Sequence, residues 1–289
     1  MDATPFVSVI VPTYHDWDRL RRCLHALEQQ TFPKEYFEVI AINNDPDNHR
    51  PSDLTLPKNC RLIEERRLGS YAARNKGISE AKGKVIAFTD SDCIPDKDWI
   101  TNAVRYLEEG AERLAGQVKI ISKSKKLNIS EIYEKTFSFD QELTATWGGA
   151  ITANMITWKK NFYTVGLFDS SLTSGGDNEW ARRAEAVGIK VIYAKEALVY
   201  HPARDSIQDL IKKKRRVAAG LLKVNRLTVV DILAKGFFVN PARAIRAYRI
   251  GRAGFSESLL SFFVALFLKL VQTQEQLILI LRIKKDERK

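Results

Sequence analysis

The sequence predicts an α/β protein, a doubly wound mixed sheet with helices on both faces, continued at its C-terminal end by a helical, basic extension. Three observations lead there. Apolar runs of the buried-strand kind recur at 6–12, 37–43, 61–65 and 84–90, separated by segments of helical period, and that alternation is the pattern of parallel strands joined by crossover helices. After about residue 110 the alternation loosens, so the second half is expected to complete the same sheet with mixed strand directions. The charge then changes: residues 1–200 hold 27 Lys and Arg against 28 Asp and Glu, whereas 201–289 hold 19 against 7. A neutral domain over 1–205 and a basic extension over 206–289 follow.

Each element has its own signature. "FVSVIVP" at 6–12 is a continuous apolar run, as expected of a strand covered on both faces. In "DRLRRCLHALEQQ" Leu20, Cys23, Leu24 and Leu27 fall at i, i+3, i+4 and i+7, one helical stripe. "FEVIAIN" and "RLIEE" supply two further strands. "SYAARNKGISEAKG" opens on Ser70 in the N-cap position and closes on Gly, the start and stop residues of a helix. "KVIAFTD" is the fourth strand; "RLAGQVKII" at 113–121 is a later one, followed by a polar helix-like stretch over 129–145 and a turn at Gly148-Gly149.

From Ser206 the pattern is helical throughout. "DLIKKKRRVAAGLLKVNRL" carries a basic cluster, and Arg243, Arg246, Arg249 and Arg252 recur every third residue on one slowly rotating face. The apolar run from Leu259 to Leu268 falls well short of the ~20 residues that span a bilayer, so an interfacial or core helix is expected.

Composition excludes several classes. A hydrophobic share of 45% in 289 residues fits one large or two modest globular domains rather than a disordered chain. Cys23, Cys60 and Cys93 are odd in number and lack metal-ligand spacing, which predicts neither a disulfide framework nor a zinc site and fits a reducing cytoplasm. "MDATPFVSVIVP" has no basic n-region, so no signal peptide is expected. The net charge of +11 is confined to the extension, which lacks aromatic stacking partners among its cations, so nucleic acid is not the expected ligand.

The chemistry concentrates at strand ends. At average composition about one Asp-x-Asp is expected by chance; this chain has four. Asp16/Asp18 and Asp96/Asp98 sit where helices begin, which the helix dipole explains. Asp45/Asp47 lies in the turn-rich "NNDPDNHRPSD". Only Asp90/Asp92, in "VIAFTDSDCIPDKDW", follows directly on a buried strand, where open α/β sheets place their ligands. Two carboxylates so close ask for a cation between them.

Taken in order, "SVIVPTY", "AARNKGI", "FTDSD", "TANMITWKKNFYTVGLFD", "GGDNEWARR" and "LVYHP" resemble the family-two glycosyltransferases of the GT-A fold over about residues 6–202. The resemblance implies a nucleoside-diphosphate-sugar donor held by Pro12, Thr13, Tyr14, Asn43, Arg74, Asn75, Asp90 and Ser91. It implies a Mn²⁺ or Mg²⁺ ion on Asp92, with His201 as a second ligand in some relatives. It implies a donor-sugar and acceptor site of Gly149, Asn154, Gly176, Asp177 and Trp180, with Asp177 as catalytic base. Asn43 stands where the family commonly has Asp, Gly176-Asp177 replaces an acidic pair with Glu179 nearby, and "MITWKK" lacks a frequent Arg, which leaves base and sugar open.

Such a transferase needs hard oxygen ligands for a divalent ion at the leaving diphosphate and one carboxylate for the acceptor proton. A helix-start position is expected to keep Asp177 ionised, with Arg182 and Arg183 adding to the effect. Each residue has a plainer reading: Tyr14 and Trp180 as core aromatics, Arg74 as a solvated helix residue, Asn75 as a turn cap, His201 as a loop histidine and Asp177 as an N-cap. The expected acceptor is a saccharide or a lipid-linked one in envelope or exopolysaccharide synthesis, at the cytoplasmic face of the plasma membrane. The helical extension is expected to contact the membrane peripherally or to form a homodimer. The competing classes are a nucleotidyltransferase, against which "VPTYHDWDRL" lacks phosphate-gripping glycines, and a basic nucleic-acid-binding protein.

Overall fold

A computed structural model describes residues 6–281 apart from Lys123 and Arg226. The elements run β1 (Val7–Thr13), α1 (Trp17–Glu28), β2 (Phe37–Asn43), β3 (Cys60–Glu64), α2 (Ser70–Glu80), β4 (Val85–Thr89), β5 (Ile94–Pro95), α3 (Trp99–Glu108) and β6 (Arg113–Ile121). Then come α4 (Ile129–Phe137), α5 (Gln141–Ala145), β7 (Asn154–Trp158), α6 (Lys160–Val165), α7 (Gly176–Ala186) and β8 (Val191–Pro202). Four helices follow: α8 (Ile207–Asn225), α9 (Val229–Lys235), α10 (Ala242–Arg249) and α11 (Phe255–Ile280).

The strands form one mixed sheet in the order β3-β2-β1-β4-β7-β6-β8-β5. β2, β3 and β4 join parallel ladders with β1 at the centre, while β7 pairs antiparallel with β4 and with β6, and β5 pairs antiparallel with β8. The four early apolar runs became strands because both faces of the parallel half are covered: β1, β2 and β4 are buried almost end to end. The α1 stripe Leu20, Cys23, Leu24, Leu27 is buried as its spacing predicts.

Local details differ from the expectations. The N-cap of α2 is Gly69 at φ 123°, a conformation disfavoured for L side chains, and Ser70 is the first helical residue. The stretch 129–145 divides into α4 and α5 because the chain turns at Phe139, at φ 51°, and restarts on Asp140, whose side chain caps α5.

By compactness the chain forms two units, 1–119 with 140–171 and 176–201, and 120–139 with 172–175 and 202–289. The second unit therefore holds the expected helical extension and adds α4 to it. Its apolar core joins Tyr133 and Phe137 of α4 to Leu210, Ala244, Val264 and Leu268. At its polar centre the buried carboxylate of Glu134 accepts from Arg204 at 2.8 Å, Lys213 at 2.9 Å and Ser138 at 2.7 Å.

The apolar run from Leu259 to Leu268 is the middle of a longer helix: α11 has 26 residues, and the good helix formers Gln272, Gln274, Glu275 and Gln276 carry the chain on into "LILI". By length and composition it is long enough to cross a membrane, with mean hydropathy 1.5 over its most apolar window.

Candidate active site

The chain leaves β1 for β2 and β3 on one side and returns to β4 on the other, so the loops after β1 and β4 part at the carboxyl edge of the sheet. A crevice at such a switch point is where open α/β sheets bind ligands. The Asp90–Asp92 turn closes one side of it.

The two carboxylates have different partners. Asp90 Oδ1 lies 2.5 Å from Nη2 of Arg74, a nearly buried side chain of α2. Asp92 Oδ2 lies 3.4 Å from His201 Nε2 and 3.8 Å from Arg19 Nη1 of α1. The antiparallel register of β5 with β8, Ile94 opposite Tyr200, accounts for the first contact: one step back brings Cys93 and the end of the Asp turn alongside His201.

Ligand atoms of Asp92, Cys93 and His201 lie within 4.8 Å of one another. Burial, followed by the charges of Asp90 and Asp92, raises the Cys93 thiol well above its ordinary range, and of the three groups the carboxylate and the imidazole are the harder donors. That pair suits a borderline-hard ion such as Mn²⁺, with the remaining positions filled by ligand oxygens. Thr13 Oγ1, Thr89 Oγ1 and Arg74 Nε are buried polar atoms with no partner among the described residues, as a polar ligand's site would leave them.

Asp177 is the second residue of α7. Its Oδ1 accepts the Asn178 N–H at 3.0 Å and the Tyr71 hydroxyl at 3.3 Å. The Tyr71 ring lies over α7 where only glycine fits, since a Cβ on Gly176 would stand 2.8 Å from it. Arg74 lies 5.7 Å from the Tyr71 ring centroid. Asp90, Arg74, Tyr71 and Asp177 thus form a chain of contacts from the Asp-Ser-Asp turn to the start of α7.

The electrostatics of Asp177 correct the expectation of an easily ionised group. Burial raises its pKa, outweighing the Asn178 N–H, the Arg74 charge, the Thr152 N–H and the Tyr71 hydroxyl, all of which lower it. Arg183 takes no part: it donates to Glu179 at 2.7 Å and to the carbonyls of Val165 and Leu167. Glu179 is therefore held on another face of the helix.

Other expected site residues serve the fold. Asn154 is fully buried, accepting from Trp99 Nε1 and donating to the carbonyls of Gln117 and Ala197, and so ties strands together. Trp180 is likewise in the core, its Nε1 donating to Gly166 and its ring packed on Phe162 and Phe168. Asn75 spends its amide on both backbone groups of Phe168. Asn43 donates to the Asn48 carbonyl and accepts the Asp45 N–H, shaping the β2 loop. Arg74 faces Asp90 and is not a solvated helix residue.

Pro12 and Thr13 close β1, Tyr14 follows as an exposed ring 4.3 Å from that of His15, Ser91 sits half-buried in the turn, and Gly149 is buried in a turn against Thr144. Residues that the sequence did not single out also belong to the crevice. Tyr71 contacts Asp177, Arg19 faces Asp92, and His15 Nε2 meets Asp45 at 2.6 Å, joining the β1 and β2 loops. Asn44 pins the loop before α2 through Glu65, Arg67 and Gly69. The sequence signal for Tyr71 was its place one turn before Arg74 on the same helix.

The family model described as Glycosyl transferase family 2 matches residues 8–163. The glycosyltransferase AglE of Haloferax volcanii is 32% identical over 235 residues, covering 79% of this chain and 77% of the relative. A Methanococcus voltae relative, named as a dolichyl N-acetyl-α-D-glucosaminyl phosphate 3-β-D-2,3-diacetamido-2,3-dideoxy-β-D-glucuronosyltransferase, is 21% identical over 72% of this chain and 70% of its own. The fold is that of the mannosyltransferase PcManGT from Pyrobaculum calidifontis, solved with GDP-Man and Mn²⁺, at a TM-score of 0.62 and 18% identity over 97% of this chain and 88% of that one.

Proposed function

Because the chain belongs to glycosyl transferase family 2 and is a glycosyltransferase of the GT-A fold, we propose that it is a metal-dependent, inverting enzyme moving a sugar from a nucleoside-diphosphate donor to a hydroxyl acceptor. The observation that carries this reading is the convergence of the Asp90–Asp92 turn and Asp177 at one crevice, joined through Arg74 and Tyr71.

In this reading Asp92 and His201 hold the divalent ion, which when bound neutralises the charge growing on the leaving diphosphate. Arg74 fixes Asp90 toward the ribose side, and Arg19 adds a cation beside the diphosphate. Asp177 accepts the proton of the acceptor hydroxyl as its oxygen attacks the anomeric carbon. The bond from that carbon to the diphosphate oxygen breaks on the opposite face, its electron pair leaving with the diphosphate, and configuration inverts.

The acceptor is a saccharide or a lipid-linked one; the dolichyl phosphate in the name of the Methanococcus voltae relative supports the latter. Work at the cytoplasmic face of the plasma membrane, in envelope or exopolysaccharide assembly, follows from such an acceptor. The test is a thermal-shift panel of UDP, GDP and dTDP sugars with and without Mn²⁺. One donor should stabilise the protein in a Mn²⁺-dependent way and Asp92→Ala should abolish the effect; an unchanged response in that variant contradicts the metal assignment.

A further inference from the structure

α11 has the wrong polarity for a helix whose exposed side faces water. Its inner face, packed on α4, α8, α9 and α10, buries Ser258, Ser261, Gln272, Thr273, Glu275 and Gln276 among its apolar contacts. Its outer face presents Phe255 (69% exposed), Leu259, Phe263 (58% exposed), Phe267 and Leu270. These five recur at i, i+4, i+8, i+12 and i+15, one apolar stripe along a helix about 39 Å long. The stripe continues onto α10, where Tyr248 meets Phe255 at 6.0 Å and Ile245 and Ile250 are also exposed. Single exposed apolar residues need no explanation, but a continuous aromatic face does.

The surrounding charge identifies the occupant. On α10 the exposed Arg249 adjoins Ile245, Tyr248 and Ile250, whereas Arg243 turns inward and donates to the Phe137 carbonyl. The chain from 201 onward carries 19 Lys and Arg against 7 Asp and Glu. A second copy seated on this face would bring a second basic surface against the first. An anionic lipid surface supplies the opposite charge at the headgroups and an apolar layer for the rings just beneath.

We infer that the outer face of α10 and α11 docks in the plane of an anionic lipid bilayer, with Phe255, Phe263 and Phe267 entering the acyl boundary and Arg249 meeting the headgroups. The inference rests on the membrane-side reading of the acceptor but is tested without donor or acceptor. An in-plane helix is favoured over a spanning one because α11's polar face stays packed on its own unit.

Flotation of the full chain with vesicles of phosphatidylcholine containing phosphatidylglycerol, against pure phosphatidylcholine, decides. The protein should float with the anionic vesicles at low salt and be released as salt screens the basic surface. Phe263→Ser and Phe267→Ser should each lower partitioning about 10-fold, and Arg249→Glu about 5-fold or more, with far-ultraviolet circular dichroism unchanged. Mn²⁺-dependent donor stabilisation should persist in all three variants, which separates failure of the lipid inference from failure of the transferase reading. Absence of flotation at low salt overturns the inference. So does flotation indifferent to the Phe variants, or a dimer in sedimentation that those variants dissociate without altering lipid binding.

Discussion

Tyr71 and Asp177 exchange two hydrogen bonds. The phenol oxygen accepts the Asp177 backbone N–H and donates to its Oδ1, both at 3.3 Å. Donation to a carboxylate favours its ionised form, and a hydrogen bond to a charged group contributes roughly 1.5–3 kcal/mol. Tyr71→Phe removes that help while keeping the ring against Gly176. The acidic limb of the rate profile should therefore move up by about one pH unit or more, with donor affinity unchanged. An unmoved limb shows that Tyr71 only packs.

Burial already sets Asp177 above the ordinary carboxylate range. The folded protein then holds a proton there at pH values where the unfolded chain has lost it, so stability falls as pH rises through that window. Above the window the ionised, buried group costs stability. Asp177→Asn should accordingly show an unchanged or higher Tm at neutral pH, measured by calorimetry. A large drop in Tm would mean the carboxylate is structural.

Gly176 sits where α7 must pass under the Tyr71 ring, and its missing side chain is what allows the approach. Gly176→Ala should displace the ring and cost about 1–3 kcal/mol, the usual penalty of overpacking. Turnover should fall with it while Mn²⁺-dependent donor stabilisation survives. Wild-type turnover in this variant would show that the Tyr71 position is immaterial.

Much of the architecture was legible in the sequence because it depends on periodicity. The strands β1, β2 and β4 lie within a residue of the apolar runs, and the α1 stripe is buried as spaced. What sequence could not convey were interactions between distant residues. Tyr71 meets Asp177 across 106 positions, and no local pattern announces it. Nor does local pattern report desolvation: a helix-start Asp looks easily ionised until its burial is known. Asn43, Asn75, Asn154 and Trp180 stand in motifs expected to contact the ligand. In the fold each meets a demand of the backbone or core, since a buried amide must bond to what surrounds it.

The Glu134 cluster gives the second unit a dependence on acid. Burial alone would raise this carboxyl, but the charges of Lys213 and Arg204, with hydrogen bonds from Ser138 and Lys213, hold it at about 2 against an ordinary 4.5. Between those values the unfolded chain binds more protons than the folded one, so stability present above pH 4.5 is lost as pH falls toward 2. Glu134→Gln should abolish that slope. It should also cost about 1–3 kcal/mol at neutral pH by leaving two partly buried cations without their carboxylate. Urea titrations across the window measure both, and a parallel acid slope in the variant contradicts the assignment.

In the proposed reaction Asp177 is the base, and its work begins only after the donor is bound. Once a donor and acceptor are in hand, turnover and donor affinity of Asp177→Asn and Glu179→Gln test it directly. Asp177→Asn should bind the donor as wild type does and lose about 10²- to 10⁴-fold in turnover, the range for a missing general base. Glu179→Gln, whose carboxylate is held by Arg183, should remain active. A dead Glu179→Gln beside an active Asp177→Asn would contradict the account.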